Sequence, residues 1–214
     1  MRLSKPVVAI AAGLLALPLL AQNLSPDKVI DRLDAKIKDA KTLRIVFEEA
    51  YIWKLTGETV TTQGTLFLEG ERRFRVETED QIIISDGETL WTYSRSQNRV
   101  LIDKLGEDET QMLPRRILFH YVKDYAVQSA GKETLDGEET VRLIFTANTQ
   151  AVLYPRVELW VNLDTWLPSQ VLQEDMDGNH TRYRLLEVSV DAPLPEGALV
   201  FETPDGADVI DMRR

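Results

Sequence analysis

Apolar and polar positions along this chain repeat with two different periods, and the switches between them mark out its elements. From 26 to 40, Val29, Ile30, Leu33, Ile37 and Ala40 recur at spacings of three and four, while Lys28, Arg32, Lys36 and Lys38 fall largely on the other side. This is an amphipathic helix with one face to bury. Ser25-Pro26-Asp27 marks its start: a hydroxyl to accept a backbone N–H, a proline suited to the first helical position, and a carboxylate for the positive end of the dipole.

At Thr42 the period becomes two. Leu43, Ile45, Phe47, Tyr51 and Trp53 alternate with Arg44, Glu48, Ala50 and Lys54, which predicts a long strand. Further strands are expected over 58–69, 72–78, 98–103, 125–135, 139–146, 156–163, 168–175, 180–190 and 199–202. The stretch 82–93, Ile-Ile-Ile-Ser-Asp-Gly-Glu-Thr-Leu-Trp-Thr-Tyr, carries the strongest local signal. Asp86-Gly87 between two apolar, β-favouring runs predicts a hairpin with a type I′ turn, which needs φ > 0 at both central residues. Asp136-Gly137 and Asp177-Gly178 predict two more hairpin turns. Residues 107–124 break the β rhythm. Leu113, Ile117 and Tyr121 repeat every four, Leu118 and Val122 lie beside them, and Pro114 fits a first turn, so a second amphipathic helix is expected there. The pattern thus predicts a mainly β protein, one long antiparallel meander of about eleven strands with two helices. No internal repeat, low-complexity segment or linker divides it.

The first 21 residues stand apart. Arg2 and Lys5 precede an almost wholly apolar run from Val7 to Leu20, and Ala21 supplies a small residue before Gln22. This is the layout of a secretory signal peptide, and its apolar part is short for a bilayer span. The expected organisation is a signal peptide over 1–21 and a single, exported domain over 22–214. Without Arg2 and Lys5 the net charge moves from −10 to −12. Such acidity argues against nucleic acid and anionic membrane surfaces as partners. Cysteine is absent, so the chain has no disulfide, no thiolate metal site and no residue to carry a lipoprotein's own lipid anchor.

Catalytic patterns are missing as well. There is no Gly-x-Ser-x-Gly elbow, Walker loop or dinucleotide fingerprint. His120 and His180 read as ordinary helix and strand residues. The segment Glu174-Asp175-Met176-Asp177-Gly178 reads as a solvated hairpin tip rather than a calcium loop, because its glycine comes too early and no glutamate closes it. Glu48-Glu49 and Glu138-Glu139 are adjacent, so in strands each pair faces opposite ways and forms no catalytic dyad. No enzyme, catalytic residue, cofactor or metal is expected. A curved sheet with one apolar concave face and few covering helices leaves two readings, a container for lipid or a core in which the helices and side chains fill the space completely.

Ile84-Ser85-Asp86-Gly87, then Thr89-Leu90-Trp91 and Tyr93, resembles the signature hairpin of the LolA family, periplasmic carriers that ferry lipoproteins to the outer membrane. Leu43-x-Ile45-x-Phe47 after the first helix, Gly64-x-Leu66 followed by Phe74, and the ending Phe201-Glu202-Thr203-Pro204-x-Gly206 with Asp208-Val209 are similar to that family's strands and C-terminus. The resemblance implies a strongly curved antiparallel sheet, an incomplete, half-open β-barrel covered by α-helices that act as a lid. It implies a monomer whose cargo is an acylated lipoprotein, with an inner-membrane ABC transporter as donor and an outer-membrane receptor as acceptor. With alternation, it selects Phe47, Leu66, Leu68, Phe74, Val76, Leu90, Val141 and Leu143 as the acyl-chain wall, and Leu113, Ile117 and Tyr121 as the lid lining. Burying a methylene is worth about 0.8 kcal/mol, so exposing one chain of ~16 carbons costs on the order of 10 kcal/mol. A water crossing therefore calls for a container. Two alternatives share the fold, a sensor module of the RseB type and a carrier of another lipid. The chain departs from the family at one place. The family often carries an arginine before a proline between the second and third strands, as a lid latch. Here Gly70 and Glu71 stand there, with Arg72, Arg73 and Arg75 nearby.

Overall fold

A computed structural model describes residues 24–106, 125–149 and 152–213. One helix, α1 (Pro26–Ile37), precedes twelve strands: β1 (Thr42–Ile52), β2 (Thr59–Glu69), β3 (Arg73–Thr78), β4 (Gln81–Asp86), β5 (Thr89–Ser94), β6 (Arg99–Lys104), β7 (Tyr125–Leu135), β8 (Glu138–Ala147), β9 (Arg156–Asn162), β10 (Pro168–Glu174), β11 (His180–Val190) and β12 (Asp208–Asp211). The expected signal peptide and second helix, with Leu113, Ile117, Tyr121 and His120, lie outside the described residues.

All twelve strands join one sheet, in the order β12-β6-β5-β4-β3-β2-β1-β11-β10-β9-β8-β7. It is an open, curved, half-barrel sheet, as expected, but not one meander. Two meanders, β1–β6 and β7–β11, are joined where β11 pairs with β1 along its whole length, from Leu43 opposite Val190 to Ile52 opposite His180. The sequence pattern misses this because alternation shows strands and turns but not long-range partners. Register shifts at Val46/Phe47, Ser129/Gly131 and Pro168/Gln170 bend three of the ladders. An extra residue in one strand increases local twist and curvature.

The helix forms as its caps predict. The Ser25 hydroxyl oxygen accepts from the Lys28 N–H at 3.4 Å, and Val29, Ile30, Leu33 and Ile37 are buried. Ala40 is buried too, but lies beyond the helix end. These residues share one core with Leu43, Ile45, Leu68 and Phe74 from the first meander and Val141, Leu143, Leu159 and Val161 from the second. The Arg32 guanidinium lies 4.2 Å from the Trp166 ring centroid and so ties the helix to the β9–β10 turn.

Two local expectations need correction. Residues 199–202 are not a strand. The last strand is Asp208–Asp211, and it lies parallel to β6, with Asp208 opposite Arg99. Its side chains are exposed, so no alternation marks it. The Asp86-Gly87 turn is not type I′ either. Gly87 has φ +104, but Asp86 remains in the strand and caps the turn, its Oδ1 accepting from the N–H groups of Glu88 (2.9 Å) and Thr89 (2.8 Å). The turn with φ > 0 at both central residues is Asp136 (+53) and Gly137 (+89). Aspartate can fill either role, because its side chain caps a turn as readily as its backbone tolerates the left-handed region.

Candidate functional site

Alternation and register together assign every strand residue to a face. Leu43, Ile45 and Phe47 stand opposite Leu68, Leu66 and Gly64, and Leu68 and Leu66 stand opposite Phe74 and Val76. Phe74 opposes Ser85, which opposes Leu90. In the other meander, Val141 and Leu143 oppose Val161 and Leu159. Phe47, Leu66, Leu68, Phe74, Val141 and Leu143 belong to one buried cluster on the side that packs α1, and Val76 and Leu90 pack against it. The eight residues picked for the acyl-chain wall therefore come together on one concave face. Gly64 has a specific part in it. A Cβ there would meet the Phe47 ring at 2.5 Å and the Glu77 carbonyl oxygen at 2.8 Å. The missing side chain leaves the space in which the Phe47 ring lies.

The character of this face changes along the strands. Near the β1 start and the β9–β10 turn it is aliphatic and aromatic. Past Phe47 it becomes polar on β1, β2 and β11. Glu49 stands opposite Thr62 on one side and Tyr183 on the other, and Tyr51 stands opposite Thr181. Glu49 faces inward while Glu48 faces outward towards Arg184, 3.6 Å away. Burial raises the Glu49 carboxyl above the ordinary glutamate range. Burial, then the Glu49 and Tyr154 charges, pushes the Tyr183 phenol well above its ordinary value, so it stays a hydrogen-bond donor at neutral pH. Tyr154 is likewise raised, by burial first and then by Glu49, Asp175, Tyr125 and Tyr51. The Tyr125 hydroxyl donates to the Tyr154 carbonyl at 2.8 Å. The Phe47 and Tyr183 rings meet edge to face at 6.3 Å, where the apolar and polar stretches join.

The convex face explains the other half of the apolar hairpin. Ile82, Ile84, Trp91 and Tyr93 point outward, with Ile84 opposite Trp91 and Ile82 opposite Tyr93. The chain's own C-terminal segment covers them. Phe201 stacks on Trp91 at 5.8 Å, and a groove of about 450 Å³ lies between the segment and the sheet, lined by Arg75, Ile82, Tyr93, Val200, Phe201 and Glu202 among others. Only alternate residues of 82–93, such as Ile83 and Leu90, thus serve the concave face.

Arg72 has a role that its sequence position does not disclose. Its Nε donates to the Gly87 carbonyl at 2.9 Å, and its Nη2 donates to those of Leu105 (3.1 Å) and Gly106 (3.2 Å). It ties the β4–β5 turn to the chain leaving β6. Gly70, at the family's latch position, has φ +64 and serves as a turn residue. At the β10–β11 tip, the Asp175 carboxylate accepts from the N–H groups of Asp177 and Asn179 and from the Asn179 side chain. It holds the turn together. No cluster of three metal-binding side chains occurs among the described residues, and no described helix is long and apolar enough to cross a membrane.

Residues 38–202 match the family model described as outer membrane lipoprotein carrier protein LolA. The chain belongs to the LolA family. Its LolA relatives are distant. An outer-membrane lipoprotein carrier protein of Chromohalobacter salexigens is 24% identical over 213 residues, covering 98% of each chain. One of Alkalilimnicola ehrlichii is 28% identical over 70% of this chain and 68% of its own. An uncharacterized protein of Methanocaldococcus jannaschii is 22% identical over 88% of this chain, which spans only 55% of that longer relative. The LolA fold extends to solved structures. An uncharacterized conserved protein from Thermus thermophilus matches with a TM-score of 0.57 at 14% identity, over 86% of this chain and 98% of its own. MucB matches with a TM-score of 0.50 at 18% identity, over 86% of this chain and 64% of MucB.

Proposed function

We propose that this LolA-family protein is a periplasmic carrier, a binding protein rather than an enzyme, that shelters the acyl chains of lipoproteins while they cross from the inner to the outer membrane. One observation carries the reading: eight apolar side chains from β1, β2, β3, β5 and β8 converge on the concave face of an open sheet. β12 and β7 stand at the two ends of the strand order, so the sheet is open rather than a closed barrel. The wall in this reading is Phe47, Leu66, Leu68, Phe74, Val76, Leu90, Val141 and Leu143; the expected lid residues Leu113, Ile117 and Tyr121 lie outside the described residues. Loading by an inner-membrane ABC transporter and unloading to an outer-membrane receptor complete the cycle. Both transfers run between apolar sites, so the carrier needs no chemistry of its own. Each acyl methylene sheltered is worth about 0.8 kcal/mol, enough to hold a long chain against water.

The test is mass spectrometry of the protein purified from its own periplasm without detergent. Acylated peptide or lipoprotein should co-purify, and depletion of the protein should strand lipoproteins at the inner membrane. A purified protein that carries no lipid and takes up no acylated peptide ends this reading. Free lipid without peptide would instead make it a carrier of another lipid. Altered envelope-stress transcription with normal lipoprotein sorting would make it a sensor.

A further inference from the structure

One row of side chains across the concave face has the shape of an amphiphile. It runs Glu49, Tyr183, Val171, Leu159, Leu143 over five adjacent strands, each residue directly opposite the next. At ~4.8 Å per strand the row covers about 19 Å of sheet. A carboxylate and a phenol stand at one end, and three aliphatic side chains of the buried cluster follow. Among the described residues no lysine or arginine pairs with Glu49, although several acidic side chains of the convex face have such partners: Glu48 and Asp136 with Arg184, Glu158 with Arg142 and Arg156, and Glu187 with Arg44.

A second feature distinguishes the two ends of the sheet. The strand tips beyond Glu49 carry exposed apolar side chains: Leu55 in the β1–β2 turn (96% exposed), Met176 in the β10–β11 turn (62%) and Leu153 between β8 and β9 (57%). At the opposite end the turns at Gly87-Glu88, Asp136-Gly137 and Asp164-Thr165 carry none, and Met212, beside the first of them, is 48% exposed. Large exposed apolar side chains gathered at one rim mark a contact or entry surface rather than a solvated end. The polar group of Glu49 and Tyr183 lies on the part of the face towards this rim.

We infer that Glu49, with the hydroxyls of Tyr183 and Tyr154, selects the head group of the bound amphiphile, accepting one that donates hydrogen bonds and carries no negative charge and rejecting a phosphate. This rests on the carrier reading and adds a specificity to it. A half-buried carboxylate without a cation accepts hydrogen bonds from hydroxyl or amide groups. It repels an anion strongly, because little solvent lies between the two charges. A carrier working among phospholipids thereby keeps its apolar face from being filled by them.

The test uses the full chain and the uncharged fluorophore N-phenyl-1-naphthylamine, which reports the apolar face alone. Displacement is measured with two amphiphiles sharing one sixteen-carbon tail, 1-palmitoylglycerol and 1-palmitoyl-lysophosphatidic acid. The wild type should prefer the glyceride by at least about tenfold. Glu49→Gln, which keeps the shape and removes the charge, should bind the fluorophore as before and lose most of that preference by taking up the phosphate lipid more tightly. Glu58→Gln, in the exposed β1–β2 turn, removes one charge from the same rim and should leave the preference intact. Equal affinities in the wild type, an unchanged preference in Glu49→Gln, or an equal loss in Glu58→Gln overturns the inference while the carrier reading stands. If neither the fluorophore nor either amphiphile binds, the carrier reading falls and the head-group selection falls with it.

Discussion

The two ends of the concave face use the same strands for different ends. Near the β1 start, Leu43 and Ile45 share one buried cluster with the apolar face of α1, and the result is a core. Further along β1, the same alternation presents Glu49 and Tyr51 opposite Tyr183 and Thr181, and the result is a polar surface inside a curved sheet. Alternation alone decides which side a residue faces. Its chemistry decides whether that side contributes stability or recognition. A face built only for stability would stay aliphatic to the end, since burying a carboxylate costs folding energy. The change past Phe47 is therefore where binding is expected to be paid for in stability.

The largest effect should come from the core end. Leu33→Ala, at a position where α1 packs into the sheet core, leaves a void and should cost about 2–5 kcal/mol. Tyr183→Phe, at the polar end, removes only a hydroxyl and should cost less than about 1.5 kcal/mol. Urea unfolding of both variants checks the contrast. Equal losses would show that the two ends contribute alike and would break the comparison.

Gly64→Ala tests the boundary between them. The new methyl meets the Phe47 ring, which can move, and the Glu77 carbonyl, which is held in the β2–β3 ladder. Overpacking of this kind should cost about 1–3 kcal/mol. Adding Phe47→Leu should recover part of the loss but not all, because the backbone contact persists. Full recovery would mean that the ring alone sets the need for glycine.

Arg72→Leu sharpens the contrast from outside the face. It removes three hydrogen bonds to backbone carbonyls and should cost about 1–3 kcal/mol. Hydrogen exchange should localise the effect. The Leu105 N–H, which donates to the Glu88 carbonyl at 2.7 Å, should lose protection, while amides in β8 and β9 keep theirs. Uniform loss would make Arg72 part of the global core rather than a local tie.

How much of this is legible in the sequence follows from which forces are local. The bounds of β7 and β11 and the buried face of α1 read directly from periodicity, because one buried side leaves its mark on every second or every third to fourth residue. The eight wall residues read as sharing a face for the same reason. The β1–β11 pairing, the parallel β12 and the Phe201–Trp91 stack do not, since each joins segments far apart in sequence. Arg72 looks like a surface charge because its acceptors are backbone carbonyls, which carry no residue signature. Glu49 reads only as half of an adjacent pair. Facing opposite ways does exclude a dyad, but it also places one of the two carboxylates inside the barrel.

That inward carboxylate gives the smallest effect, and its sign is fixed. Burial raises the folded-state pKa of Glu49 above the value it has in the unfolded chain. The fold therefore favours the protonated form. The stability this contributes is fully present below the unfolded value and is lost as pH rises through the folded one. Glu49→Gln never ionises and keeps that contribution at every pH. The variant should melt at a slightly higher temperature than the wild type near pH 7, and the gap should close on acidification to about pH 4, where the wild-type carboxyl is protonated as well. Thermal melts of both proteins across that range measure it. A gap that widens in acid would mean that the Glu49 carboxylate is stabilised by a partner rather than strained by burial. The polar end would then contribute to stability as the core end does.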